Sequence, residues 1–162
     1  MTDIFLGLGS NIEPAQHLRV GLAKLESLLG PLRQSAVYEG AAIGFDGDPF
    51  WNLVVGAQTE LSVGELQVAL RQIEFAHGRP RNATSNSPRT LDIDILTYGE
   101  LVGKVDGVLL PRPEILKNAF VLRPLAEVAG EAVHPGEGRG FGELWSAYDQ
   151  ASQPLREVTL SR

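Results

Sequence analysis

The chain has 162 residues, a net charge of −6 and an apolar share of 43%, the proportions of an ordinary globular domain. With no cysteine it can form no disulfide, thiolate metal site or cysteine nucleophile, and no apolar run nears the roughly 18 residues of a spanning helix. The acidic balance argues against broad nucleic-acid binding unless arginines gather in one place, and Met1-Thr2-Asp3 does not begin a signal peptide, so a cytoplasmic protein is expected.

Residues 4–9 are a short apolar run ending in Gly9-Ser10-Asn11, a strand followed by a turn. Pro14 suits a first helical turn, Leu18, Leu22, Leu25 and Leu29 recur at helical spacing, and Gly30-Pro31 ends the pattern. Residues 35–42 read as a second strand, 44–49 as a loop, and Phe50–Thr59 as a third strand rich in valine and aromatics. Ser62 with Glu65 three residues on is a capping-box signature. The helix it opens carries Leu66, Leu70 and Ile73 on one face and should end near Phe75 or Ala76.

Residues 78–88 are polar and turn-rich, and 90–98 read as a fourth strand. A hairpin near Gly103 and Gly107, a short helix near Glu114, irregular segments and a short helix over 142–148 complete the expectation. Through residue 98 the order is strand, helix, strand, strand, helix, strand, that of the ferredoxin-like split βαβ. This predicts an α+β fold with an antiparallel sheet, which by itself says little about function.

The strongest local signal is Pro88-Arg89-Thr90-Leu91-Asp92-Ile93-Asp94-Ile95-Leu96. Alternation along a strand sends Leu91, Ile93 and Ile95 into a core and sets Asp92 and Asp94 side by side on the other face. Two carboxylates about 7 Å apart along a strand repel unless a cation lies between them. Oxygen ligands without histidine or cysteine suit Mg²⁺, which binds through one or two carboxylates plus substrate phosphates. The solvated outer face of an edge strand would show the same spacing. Arg79, Arg81 and Arg89 fall within eleven residues of this acidic chain. Arginine's planar fork suits phosphate oxygens, although these arginines could instead simply neutralise the aspartates.

On the third strand, Phe50, Asn52 and Val54 share a face. A buried amide beside an aromatic ring can read the edge of a flat heterocycle, or act as a structural hydrogen bonder. Gly7-Leu8-Gly9-Ser10-Asn11 lacks the dinucleotide fingerprint, and no Walker lysine is present. His17, His77 and His134 show no metal-ligand spacing; His134, before Pro135, reads as an ordinary loop residue.

Taken together, Gly7 to Asn11, Glu74 with Gly78-Arg79-Pro80-Arg81, Pro88 to Asp94, and Phe120-Val121-Leu122 with Pro124-Leu125 resemble the family of 6-hydroxymethyl-7,8-dihydropterin pyrophosphokinases. The resemblance runs over roughly residues 4 to 135 and implies a single pyrophosphokinase domain over 1–162. It implies a ferredoxin-like βαββαβ core with a C-terminal hairpin and short helices. It also implies ATP as co-substrate, two Mg²⁺ ions, transfer of pyrophosphate to the pterin hydroxyl with AMP leaving, and a monomer without nucleic-acid or membrane partners.

By position, Asp92 and Asp94 would hold both metals, Arg79, Arg81 and Arg89 would contact phosphates, and the loop over 82–87 would close over them. Arg71, Glu74, Ile95, Arg112 and Asn118 would belong to the ATP site, with Glu74 supporting the arginines from behind. Gly40, Ala41, Ile43, Phe50, Asn52 and Phe120 would form the pterin site. The chain departs from the family pattern at Asn86, where a bulky aromatic is common, and at Arg112, where a histidine is usual. It departs also at Asn118, where an arginine is usual, and over Gly40-Ala41-Ala42 in place of Thr-Pro-Pro. A diverged relative that binds without turnover is a second reading. A ferredoxin-like RNA-binding module is a third, against which the acidic charge and the aspartate pair speak.

Overall fold

The computed structural model describes residues 1–41, 47–76 and 91–160. In chain order it contains β1 (Thr2–Ser10), α1 (Pro14–Leu29), β2 (Arg33–Gln34), β3 (Val37–Gly40), β4 (Phe50–Thr59), α2 (Val63–Ala76) and β5 (Asp92–Tyr98). There follow the hairpin β6 (Gly103–Val105) and β7 (Val108–Leu110), a 3-10 turn (Pro113–Leu116), α3 (Ala119–Ala129), α4 (Phe141–Ala147), a second 3-10 turn (Gln150–Ser152) and β8 (Arg156–Val158). No helix among the described residues is long and apolar enough to cross a membrane.

The main sheet is antiparallel in the order β5-β1-β4-β3-β8, with β2 also paired to β4. This is the ferredoxin-like arrangement, with β2 and β3 together as its second strand and β8 added at the edge. The expected strand over 35–42 is in fact broken at Ser35 and Ala36. There the Ser35 hydroxyl accepts the Val54 N–H at 2.9 Å, and the Ala36 N–H turns away to Glu127 at 2.8 Å.

Strand alternation gives the sheet two faces. On one, α1 and α2 set Leu18, Leu22, Leu25, Leu66 and Leu70 against Leu6, Leu8, Leu53, Val55, Ile93 and Ile95. On the other, α3, backed by α4, sets Val121, Leu122 and Leu125 against Phe5, Val54 and Leu96. The capping box at α2 is reciprocal: the Ser62 N–H donates to Glu65 at 2.8 Å, and the Glu65 N–H to the Ser62 hydroxyl at 3.1 Å.

Helix α3 corrects the expectation of irregular chain after the Glu114 turn. Pro124 inside it reads as a breaker in sequence, but the burial of Val121, Leu122 and Leu125 outweighs that local preference. His134 is also more than an ordinary loop residue. It is buried, its Nδ1 accepts the N–H groups of Gly136 and Glu137 at 3.0 Å each, and burial lowers its pKa.

Candidate active site

Among the described residues β5 is the outermost strand on its side, and a row of its backbone groups has no strand partner there. Side chains of α2 take that place. Glu74 is fully buried and accepts the Ile93 N–H at 2.6 Å. Arg71 donates to the other Glu74 oxygen and, at 3.4 Å, to the Ile93 carbonyl. Burial pushes the Glu74 carboxyl up, against the opposing pull of the Ile93 N–H and Arg71.

With Ile93 clamped, Asp92 and Asp94 project from the face opposite Leu91, Ile93 and Ile95, as the alternation predicts. Both are half-buried rather than freely solvated, because that face continues into the cluster under α3. Burial, then the neighbouring Asp92, pushes Asp94 up to about 8, with Arg112 and Arg71 pulling it down. A carboxylate pair so placed calls for a cation. Arg71 Nη2 lies 3.8 Å and Arg112 Nη2 3.6 Å from Asp94 Oδ1.

Arg112 is brought there by a β-bulge. The β1–β5 register shifts between Phe5 and Leu6, so Leu96 stands out of the ladder and its carbonyl accepts the Arg112 N–H at 2.9 Å. No group of three or more His, Cys, Asp or Glu gathers as a metal cage among the described residues. Two carboxylates with no third fit an ion that takes its remaining oxygens from phosphates and water, which is the habit of Mg²⁺.

The register places the rest of the site in one row across the sheet. Asp92 pairs with Gly9, Gly9 with Asn52, and Asn52 with Tyr38. Cross-strand partners share a face, so these four positions lie side by side. Gly9 leaves the row open: a Cβ there would stand 2.6 Å from Asn52 Oδ1 and 3.8 Å from Phe50 Cδ1. The buried Asn52 Nδ2 has no hydrogen-bond partner among the described residues. An orphaned buried donor costs about 1–3 kcal/mol, so this amide is prepared for an acceptor that the described residues do not supply. The sequence signal was present in Gly7-x-Gly9. It reads there as a weak phosphate loop, whereas its second glycine makes room for an amide on the next strand.

Of the other expected site residues, Gly40 pairs with Phe50 and Ala41 is exposed. Phe120 lies in the first turn of α3 and packs partly against the second cluster. Ile95 seals its side chain in the first cluster, so a nucleotide contact would fall to its backbone. Asn118 precedes α3 with its Oδ1 3.4 Å from Gln153 Nε2, and Gln153 Oε1 accepts the Ala119 N–H at 2.9 Å. Ile43, Asn86, Arg79, Arg81, Arg89 and the loop over 82–87 lie outside the described residues.

Residues 5–130 match the family model of 7,8-dihydro-6-hydroxymethylpterin-pyrophosphokinase (HPPK). The chain is 34% identical over 137 residues to the 2-amino-4-hydroxy-6-hydroxymethyldihydropteridine pyrophosphokinase of Aquifex aeolicus, covering 83% of this chain and 85% of that one. It is 31% identical over 140 residues to the folic acid synthesis protein fol1 of Pneumocystis carinii, where 83% of this chain covers only 18% of the relative. A solved Plasmodium falciparum HPPK-DHPS structure superposes with a TM-score of 0.70 at 14% identity, over 91% of this chain and 44% of that one, and shares the fold. A fold, a carboxylate pair and a sequence match that coincide over the same residues have one explanation: the chain belongs to the HPPK family.

Proposed function

We propose that this family member moves the pyrophosphoryl group of ATP onto 6-hydroxymethyl-7,8-dihydropterin with two Mg²⁺ ions, releasing AMP, and that it works as a cytoplasmic monomer. The observation that carries this reading is the row itself: a carboxylate pair, a glycine gap and an orphaned buried amide on adjacent strands of one face. Asp92 and Asp94 would hold the metal against the polyphosphate. Mg²⁺ bound there would neutralise phosphate charge and align the attacking and leaving oxygens.

Asn52 donates through Nδ2 to an acceptor on the pterin edge, over the space Gly9 leaves open. Phe50 and Phe120 line the ring, with Gly40, Ala41 and Ile43 along its border. Glu74 and Arg71 fix β5, so that the aspartates meet the phosphates in one geometry; for phosphoryl-type transfer such positioning supplies most of the catalysis. Arg79, Arg81 and Arg89 contact the phosphates, and the loop over 82–87 excludes water. Arg112, Ile95 and Asn118 border the nucleotide. The test is AMP release from purified protein. It should require ATP, Mg²⁺ and the hydroxymethyl pterin together; hydrolysis of ATP without pterin, or no AMP under any condition, would count against the reading.

A further inference from the structure

Among the described residues, two arginines approach Asp94, and they are held very differently. Arg71 is committed: one nitrogen serves Glu74, the other reaches the Ile93 carbonyl, and its side chain is 26% exposed. Among the described residues, Arg112 is anchored behind its head. Its backbone N–H is fixed to the bulge carbonyl of Leu96, and its Nε lies 2.5 Å from Glu114 Oε2 on the adjoining 3-10 turn. Its outer nitrogen Nη2 stands 3.6 Å from Asp94 Oδ1, attracted across more than a hydrogen-bond length, on a side chain 34% exposed. Charge is therefore placed at Asp94 without the close contact that would lock it there.

Resting on the metal-nucleotide reading above, we propose that Arg112 is an exchangeable counter-ion. In the unloaded site it stands in for the metal at Asp94. When metal and nucleotide arrive together, Nη2 leaves Asp94 for a phosphate oxygen while Glu114 keeps hold of Nε. A divalent ion alone must compete with Arg112 and offers it nothing in return. A metal-polyphosphate complex gives the displaced guanidinium a new partner. Arg112 thereby couples metal to nucleotide, weakening the first alone and strengthening the pair. No bond is made or broken in this step; one ion pair is exchanged for another.

The test is a pair of binding measurements that involve no turnover. Mn²⁺ alone, followed by the loss of its free-ion paramagnetic resonance signal, is titrated into parent and Arg112→Gln protein. Mn²⁺ with α,β-methylene-ATP is then titrated by calorimetry. The Gln variant should bind bare Mn²⁺ roughly two- to fivefold more tightly, the range of a partly exposed ion pair. It should bind the Mn²⁺-nucleotide complex roughly tenfold or more weakly, as for the loss of one charge-assisted phosphate contact. Arg112 belongs to neither core cluster, so the fold should survive, and a thermal melt checks this.

Arg112→Lys keeps the charge without the fork. It should return bare-ion affinity to the parent's value and leave complex affinity between parent and Gln variant. Bare Mn²⁺ binding in Arg112→Gln that is unchanged or weaker overturns the exchange, as does a Lys variant that binds the bare ion as tightly as the Gln variant. If parent protein binds neither the ion nor the complex, it is the metal-nucleotide reading that fails.

Discussion

The two faces of the central sheet are made by the same strands, one residue out of step, and they have been put to opposite uses. Under α1 and α2 every sheet position from Leu8 through Leu53 to Ile93 is apolar and sealed. Under α3 the apolar part stops at Phe5, Val54 and Leu96, and the row beside it is Asp92, Gly9, Asn52 and Tyr38. The closed face supplies the burial that holds β5, β1 and β4 in register. The half-open face uses that register to set charges and an unpaired amide beside one another at an energetic cost. A domain stabilised on one face can carry such costs on the other.

The sharpest way to break this comparison is to remove charge from the open face. Asp92→Asn or Asp94→Asn should lower AMP formation by about 10²–10³-fold or more, since uncompensated polyphosphate charge would remain at the reacting centre. The fold should survive, because both side chains project from the face opposite the sealed core. A variant with near-parental turnover would remove the metal pair from the mechanism.

Next in size is the closed face. Leu53→Ala removes a side chain 1% exposed, and should cost about 2–5 kcal/mol in denaturant unfolding. Turnover per folded molecule should change little. A large loss of turnover in a variant that remains folded would mean that the two faces are not separable.

The division of labour also explains what could be read in advance. The Ser62–Glu65 cap, the limits of β4 and the alternation around Asp92 and Asp94 are local, and neighbours in sequence decide them. The break at Ser35 and Ala36, the bulge at Leu96 and the delivery of Arg112 to Asp94 depend on partners tens of residues away, which no local pattern encodes. α3 was hidden for a different reason: Pro124 imitates a helix end, and only the apolar cluster it caps reveals the helix. Family resemblance implies for Glu74 a place behind the arginines; its bond to the Ile93 N–H on the edge of β5 joins residues far apart in sequence, and no local pattern encodes it.

Within the open row, Asn52→Ala should weaken pterin binding by roughly 1–3 kcal/mol and leave nucleotide binding nearly unchanged. Gly9→Ala should do the same by another route, because its new Cβ, 2.6 Å from Asn52 Oδ1, forces the amide to turn. Calorimetry against each ligand separately is the measurement. Equal losses for pterin and nucleotide would make Asn52 a structural residue and the glycine gap incidental.

The smallest effect is expected at the far end of the row, where α3 has closed over it. Tyr38 is buried, its hydroxyl donates to Glu127 Oε1 at 2.6 Å, and the Arg123 guanidinium lies 4.4 Å over its ring. Burial, then the Glu127 carboxylate, raises the phenol from 10.0 to about 12. A raised folded pKa means that the fold favours the neutral phenol. Its contribution is complete below pH 10 and is lost as the pH rises through about 12. Tyr38→Phe should therefore cost about 1 kcal/mol near neutral pH, the usual net value of one hydrogen bond. That gap between parent and variant should shrink as pH climbs from 10 to 12, and absorbance titration of the three tyrosines should lose its component near 12. A gap that stayed constant to pH 12 would place the stabilisation elsewhere than in the bond to Glu127. Pterin affinity should not change, because Tyr38 already has its partner in Glu127, whereas Asn52 Nδ2 awaits one. A Phe variant that lost as much pterin affinity as Asn52→Ala would extend the open part of the row to Tyr38 and move the boundary between the two uses of the sheet.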